Sequence, residues 1–186
     1  MFNNINTCKN IVNELSDLVN HLDEKQSDSL FEQITNAKNI FLAGAGRSKL
    51  MLQAFGMRLM HLGFNVHIVG DVTTPAINKE DLLLIASGSG ETNSLVIMAN
   101  KAKNIGAKIA LISTKQSSSI ASVADTIVVI PTSTPKNRDS KPLSIQPGAS
   151  LFEQTLLIYF DSFILTYMLD NTIELNKIML KHANLE

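Results

Sequence analysis

The sequence predicts an α/β protein, a three-layer sandwich with one five-stranded parallel sheet and helices on both faces. Three observations predict it. Five compact apolar runs of four or five residues recur between residues 40 and 130, the pattern of strands buried on both faces. Helical stretches lie between several of them, as the crossovers of a parallel sheet require. Two short polar, glycine-containing loops directly follow the first and third runs.

Taken in order, Ile5, Val12, Leu15, Leu18, Val19 and Leu22 share one helical face, so a helix is expected over residues 5–22, and a second over Ser29 to Ala37. The first strand is Ile40-Phe41-Leu42-Ala43, followed by a helix from Lys49 to Leu62 that stops at Gly63. Val66-His67-Ile68-Val69 and Leu82-Leu83-Leu84-Ile85-Ala86 are the second and third strands. A helix from Thr92 to Ile105 ends at Gly106, and Ile109-Ala110-Leu111-Ile112 and Ile127-Val128-Val129-Ile130 complete the sheet. Pro131 to Pro147, with Lys136, Arg138 and Lys141, reads as a long loop, either a lid over an anionic ligand or a solvated surface segment. Helices over Ser150 to Leu169 and Ile173 to Lys181 close the chain.

Right-handed crossovers leave few strand orders, and 2-1-3-4-5 is a common one. It makes the first and third strands neighbours and puts the ligand crevice beyond their carboxyl ends, where both polar loops also lie. Those loops are Gly44-Ala45-Gly46-Arg47-Ser48 and Ser87-Gly88-Ser89-Gly90-Glu91-Thr92, and Ser113-Thr114 adds hydroxyls on the rim. Helix starts present unpaired N–H groups and a partial positive charge, so Gly46, Arg47, Ser48, Ser87, Gly88, Ser89 and Thr92 are candidates to bind a phosphorylated small molecule.

Composition excludes other classes. The 186 residues, 45% hydrophobic, suit one domain over residues 1–186. A net charge of −1 without charge blocks gives no footprint for nucleic acid. The longest apolar stretch, Leu156 to Leu169, is interrupted by Asp161 and too short to cross a membrane. Cys8 is the single cysteine and no signal-like segment opens the chain, so a cytoplasmic location is expected. The third glycine of a dinucleotide fingerprint would fall at Lys49, and neither a P-loop nor a nucleophile elbow fits the second loop, so no cofactor is expected. His21, His61, His67 and His182 have no metal-ligand spacing, so no metal is expected either.

Three charged residues have two readings each. Arg47 at a helix start opposes the dipole, which an anionic partner would explain and simple exposure would not need to. Glu153 closes the capping box Ser150-Leu151-Phe152-Glu153, which accounts for it without catalysis, yet a carboxylate there also suits a general base. His182 is either a cation beside a helix C-terminus or a proton carrier.

The chain resembles the sugar isomerase (SIS) domain family, and within it the 6-phospho-3-hexuloisomerases. The resemblance is carried by the two loops above, by Met57-Arg58-Leu59-Met60-His61-Leu62-Gly63-Phe64, Thr73-Thr74-Pro75-Ala76, Gln146-Pro147, Leu151-Phe152-Glu153-Gln154 and the tail His182-Ala183-Asn184-Leu185-Glu186. It departs at Lys49, where the family usually has glycine, at Asp71-Val72 and at Gly148-Ala149. The resemblance implies the flavodoxin-like SIS fold and interconversion of D-arabino-3-hexulose 6-phosphate and D-fructose 6-phosphate through an enediol, as in the ribulose monophosphate pathway of formaldehyde assimilation. It implies Glu153 as base and His182 as acid or proton shuttle, no cofactor, and a homotetramer built as a dimer of dimers. A pathway link to 3-hexulose-6-phosphate synthase goes with it. The alternatives are a non-catalytic sugar-phosphate-binding regulatory module, or an isomerase of another phosphosugar such as arabinose 5-phosphate.

Overall fold

Helices carry the chain from the first strand to the second and from the third to the fourth, and loops make the other two strand connections, in the computed structural model that describes residues 3–132 and 144–185. The elements are α1 (Asn4–Val19), α2 (Glu24–Asn36), β1 (Ile40–Gly44), α3 (Gly46–Leu62), β2 (Val66–Ile68) and β3 (Leu82–Ala86). They continue as α4 (Asn93–Ile105), β4 (Lys108–Ser113), β5 (Thr126–Val129), α5 (Ser150–Asp170) and α6 (Leu175–Met179). All strand pairs are parallel and the order is β2-β1-β3-β4-β5, as expected from the sequence. Most of the expected lid segment, including Lys136, Arg138 and Lys141, lies outside the described residues.

Alternation along the strands divides the core into two. Leu42, Leu84 and Ile112 face Leu30, Ile34, Leu52, Phe55, Phe152 and Phe160 of α2, α3 and α5. Phe41, Leu83 and Leu111 face Leu95 and Ala99 of α4, together with Ile120. Fully burying each such side chain contributes about 1.5–3 kcal/mol. Among the described residues no helix is long and apolar enough to cross a membrane.

Two contacts position the site. Gly56 lets α3 lie close on the sheet, because a Cβ there would meet Leu42 Cδ1 at 2.9 Å and Ile68 Cδ1 at 3.2 Å. The Phe55 and Phe160 rings stack at 4.2 Å and 9°, with Phe163 edge-on to Phe55 at 5.5 Å. This aromatic joint locks α5 against α3, so the first turns of the two helices meet at the carboxyl edge of the sheet.

Several element bounds differ from expectation, among them those of three helices. The second helix starts at Glu24 rather than Ser29, because Asp23 caps it, with Oδ1 accepting from the Gln26 N–H at 2.9 Å. The third starts at Gly46, placing Arg47 and Ser48 inside its first turn. The last is shorter than expected, running only from Leu175 to Met179.

Candidate active site

The two loops leave the sheet side by side, because Gly44 of β1 is paired in register with Ala86 of β3. The β3–α4 loop is pinned from behind. Ser113 Oγ, Thr114 Oγ1 and the Thr114 N–H all donate to the Gly88 carbonyl, at 3.1, 2.7 and 3.1 Å. That carbonyl is therefore held against the end of β4. Ser87 is buried and its Oγ accepts from the Gly90 N–H at 3.2 Å, while Ser89 Oγ accepts from the Glu91 N–H at 3.2 Å. Glu91 Oε1 in turn accepts from the Ser119 N–H at 2.9 Å. Gly90 has φ +63°, and a Cβ there would collide with the Ser118 side chain, so only glycine fits this turn.

Ser87 and Ser89 thus shape the loop with their acceptor lone pairs, and each hydroxyl keeps a proton to donate. Thr92 is the N-cap of α4 and makes no side-chain cap bond. Ala45 and Ala149, the N-caps of α3 and α5, have no side-chain oxygen with which to make one. Three helices therefore begin at this edge with their first-turn N–H groups uncapped by side chains, an arrangement suited to an anion.

Arg47 reaches from α3 to α5, where Nη1 donates to Glu153 Oε2 at 2.9 Å and to Ser150 Oγ at 3.0 Å. Glu153 keeps 13% of its side chain exposed and Arg47 46%, so the carboxylate is recessed and its counter-ion open to solvent. The anionic partner that Arg47 called for is thus Glu153 itself. The expected capping box is not formed. Gly148, at φ +64°, turns the chain early, Ala149 becomes the N-cap and its carbonyl accepts from the Glu153 N–H at 3.0 Å. Ser150 is then one position inside the helix, and both box residues are released toward Arg47.

His182 is elsewhere. Its ring stacks on that of His61 at 5.4 Å and 29°, at the far end of α3. Arg47 and His61 are separated by 14 helical residues, about 20 Å at ~1.5 Å per residue. Within one protomer the structure brings together Arg47, Ser150 and Glu153, and the Ser48 and Ser87–Thr92 loops on adjacent strands, but not His182. His61 is itself almost fully buried, at 3% exposed. Burial, reinforced by the charges of Arg58 and His182, holds it below the usual histidine range. Sequence reasoning had passed over Ser150 as a ligand of Arg47 and His61 as a neighbour of His182. Only their spacing from Glu153 and their place in the Met57–Phe64 block were visible.

Known proteins share this architecture and its sequence. The SIS domain family matches residues 33–159. The chain is similar to a Bacillus subtilis 3-hexulose-6-phosphate isomerase, 43% identical over 176 residues and 95% of each chain. It is similar to the Mycobacterium gastri 3-hexulose-6-phosphate isomerase, 40% identical over 97% of this chain and 90% of that one. A Methanococcus jannaschii crystal structure, from which a 3-hexulose-6-phosphate isomerase function was inferred, superposes with a TM-score of 0.83 at 34% identity, covering 97% of this chain and 99% of that one. The chain belongs to the SIS-domain family and is closely related to its 3-hexulose-6-phosphate isomerases.

Proposed function

We propose that the protein interconverts D-arabino-3-hexulose 6-phosphate and D-fructose 6-phosphate, with Glu153 as the base and the β1–α3 and β3–α4 loops as the phosphate seat. The observation that carries this reading is the Arg47–Glu153 pair at 2.9 Å, recessed beside three helix starts without side-chain caps. The named relatives, at 43% and 40% identity across nearly the whole chain, support the choice of reaction. The small-molecule sugar phosphate is held at its esterified end by the hydroxyls of Ser48, Ser87, Ser89 and Thr92 and by N–H groups around Gly46 and Gly88. Hydrogen bonds to such a charged group contribute about 1.5–3 kcal/mol each.

The reaction moves a carbonyl from C3 to C2. Glu153 removes the C2 proton, the electrons shift to make the enediol, and the same carboxyl returns a proton at C3. A second group must carry a proton between the two oxygens, and an imidazole does so near neutrality. His182 is that group. Since it lies at the other end of α3 in its own protomer, it serves the crevice of a second copy within a homotetramer, a dimer of dimers. The exposed Ile158, Leu165 and Leu169 of α5 and Leu175 and Leu180 near the tail provide apolar surface for such an assembly. The 3-keto sugar cannot close a five-membered ring through its phosphorylated C6 oxygen, so in the direction that starts from it the site needs no ring-opening step. A 3-hexulose-6-phosphate synthase supplies this substrate, in the cytoplasm.

Glu153→Gln tests the assignment. Glutamine keeps an oxygen that accepts from Arg47 but cannot take a proton from carbon. Turnover should fall about 10²–10⁴-fold. The melting temperature should hardly change, because a half-exposed ion pair is worth about 0–1 kcal/mol. Retained activity would return Glu153 to a purely structural role.

A further inference from the structure

A histidine on the inner face of α3 is a costly choice. His61 is only 3% exposed, and its Nδ1 is buried without a hydrogen-bond partner among the described residues, so the helix forgoes hydration of that atom with no such bond in return. An apolar side chain of similar size would pack there without that loss. What the ring does have is the His182 imidazole, at 5.4 Å and 29°.

We infer that His61 is a positioning residue for His182: its buried ring is the flat seat on which the tail imidazole stacks, and it sets the direction in which the tail presents that imidazole to a second copy's crevice. The inference rests on the proposed role of His182 as the acid. Two further contacts fix the same piece of chain. His182 Nδ1 lies 3.1 Å from the Ala183 carbonyl, which can only accept, so Nδ1 carries the proton and Nε2 is the nitrogen left to exchange one. The Lys181 ammonium lies over the C-terminus of α3, where a Cβ on Gly63 would be 2.7 Å from its Nζ, the favoured place for a cation.

Stack, carbonyl and ammonium together set the plane, the tautomer and the place of a side chain that sequence alone would put on a loose end. Burial, with the charges of Arg58 and His182, lowers the pKa of His61 and so favours the neutral form of the seat.

The test compares His61→Leu with His61→Phe in the assembled protein. Leucine fills the space without an aromatic face, and phenylalanine restores the face without a titratable nitrogen. A misplaced acid costs on the order of 10²-fold in rate. We expect His61→Leu to lose most of that in kcat, KM for the sugar phosphate to stay within about twofold, and His61→Phe to recover the larger part.

Wild-type kcat in His61→Leu, a loss confined to KM, or equal losses in both variants would overturn the inference. A nuclear Overhauser contact between the two rings is expected in the wild-type protein labelled at histidine. Its absence would overturn the inference too, whether or not either variant folds. His182→Gln separates the two levels. If His182→Gln turns over normally, the acid assignment falls and takes His61 with it. If it is inactive while His61→Leu is not, only the positioning role falls.

Discussion

The two edges of the sheet are built from the same kinds of residue and treat them in opposite ways. At the amino edge the carboxylates are saturated from within. Asp81, 1% exposed, accepts from Asn39 Nδ2 and from the Asn78 N–H, both at 2.7 Å. Asp125 accepts from the Ile109 N–H at 2.9 Å and lies 3.5 Å from Lys108, and Lys38 pairs with Glu80 at 3.1 Å. A cavity of about 420 Å³ opens there between α2 and the starts of β3 and β4, and of its acidic residues Glu80 is engaged by Lys38 and Asp81 by Asn39. At the carboxyl edge α3, α4 and α5 begin without side-chain caps, and among the described residues the Arg47 side chain bonds Glu153 and Ser150 and the Glu153 carboxylate bonds Arg47 alone. Polar groups that are satisfied internally hold the fold. Those left open mark where a ligand completes the structure.

The contrast is sharpest between helix starts. At α2 the Asp23 carboxylate occupies the position that a ligand phosphate would take at α4. Giving α4 the same device should exchange function for stability. Thr92→Asp places an anion where the substrate's belongs. It should stabilise the unliganded protein by about 0.5–1 kcal/mol in urea unfolding. The same change should raise KM for the sugar phosphate roughly ten- to hundredfold, the equivalent of one charged hydrogen bond. An unchanged KM would show that the phosphate sits elsewhere, and would break the comparison at its root.

Asp81→Ala probes the saturated edge. It removes the charged acceptor of the Asn78 N–H and of the half-buried Asn39 amide, which should cost about 1–3 kcal/mol of stability. Turnover per folded molecule should not change, because no crevice residue touches Asp81. A drop in kcat at full folding would mean that the two edges are coupled through the strands.

The features legible in the sequence were those with a period or a punctuation mark. Strand runs and closing glycines mark β1 to β5, α3 and α4, and the observed strand order is a common one among the few that right-handed crossovers leave, which is what allows a crevice to be expected between β1 and β3. The start of α2 was overlooked because its first turn, Glu24-Lys25-Gln26, has no apolar periodicity, although Asp23 is a good cap. The capping box failed for a different reason. A serine and a glutamate three apart satisfy the motif whether the helix begins at Ser150 or one residue earlier, and the left-handed Gly148 decided for Ala149. His61 was hidden because a histidine at a core position of an amphipathic helix looks like any other core residue until its neighbour is known. That neighbour comes from a tail more than a hundred residues away.

The smallest effect lies on the approach to the carboxyl edge, where the chain enters α5. Glu14 of α1 accepts from Ser144 Oγ at 2.9 Å, the Ile145 N–H at 2.8 Å and Gln146 Nε2 at 3.0 Å, tying down the segment that leads to Ala149. Burial works to raise its pKa, but the three donors outweigh it and hold the carboxyl below the ordinary glutamate range. A depressed carboxylate contributes stability that is fully present above the unfolded value, about 4.3. That contribution disappears as the pH falls through the folded value. Wild type should therefore be more stable than Glu14→Gln at pH 6, and the difference should shrink steadily as the pH is lowered past 4. Urea midpoints measured at several pH values would show it. A gap independent of pH would mean that the donors recognise the shape of the side chain rather than its charge. The entrance to α5 would then be secured in the same neutral way as Asn3 secures α1.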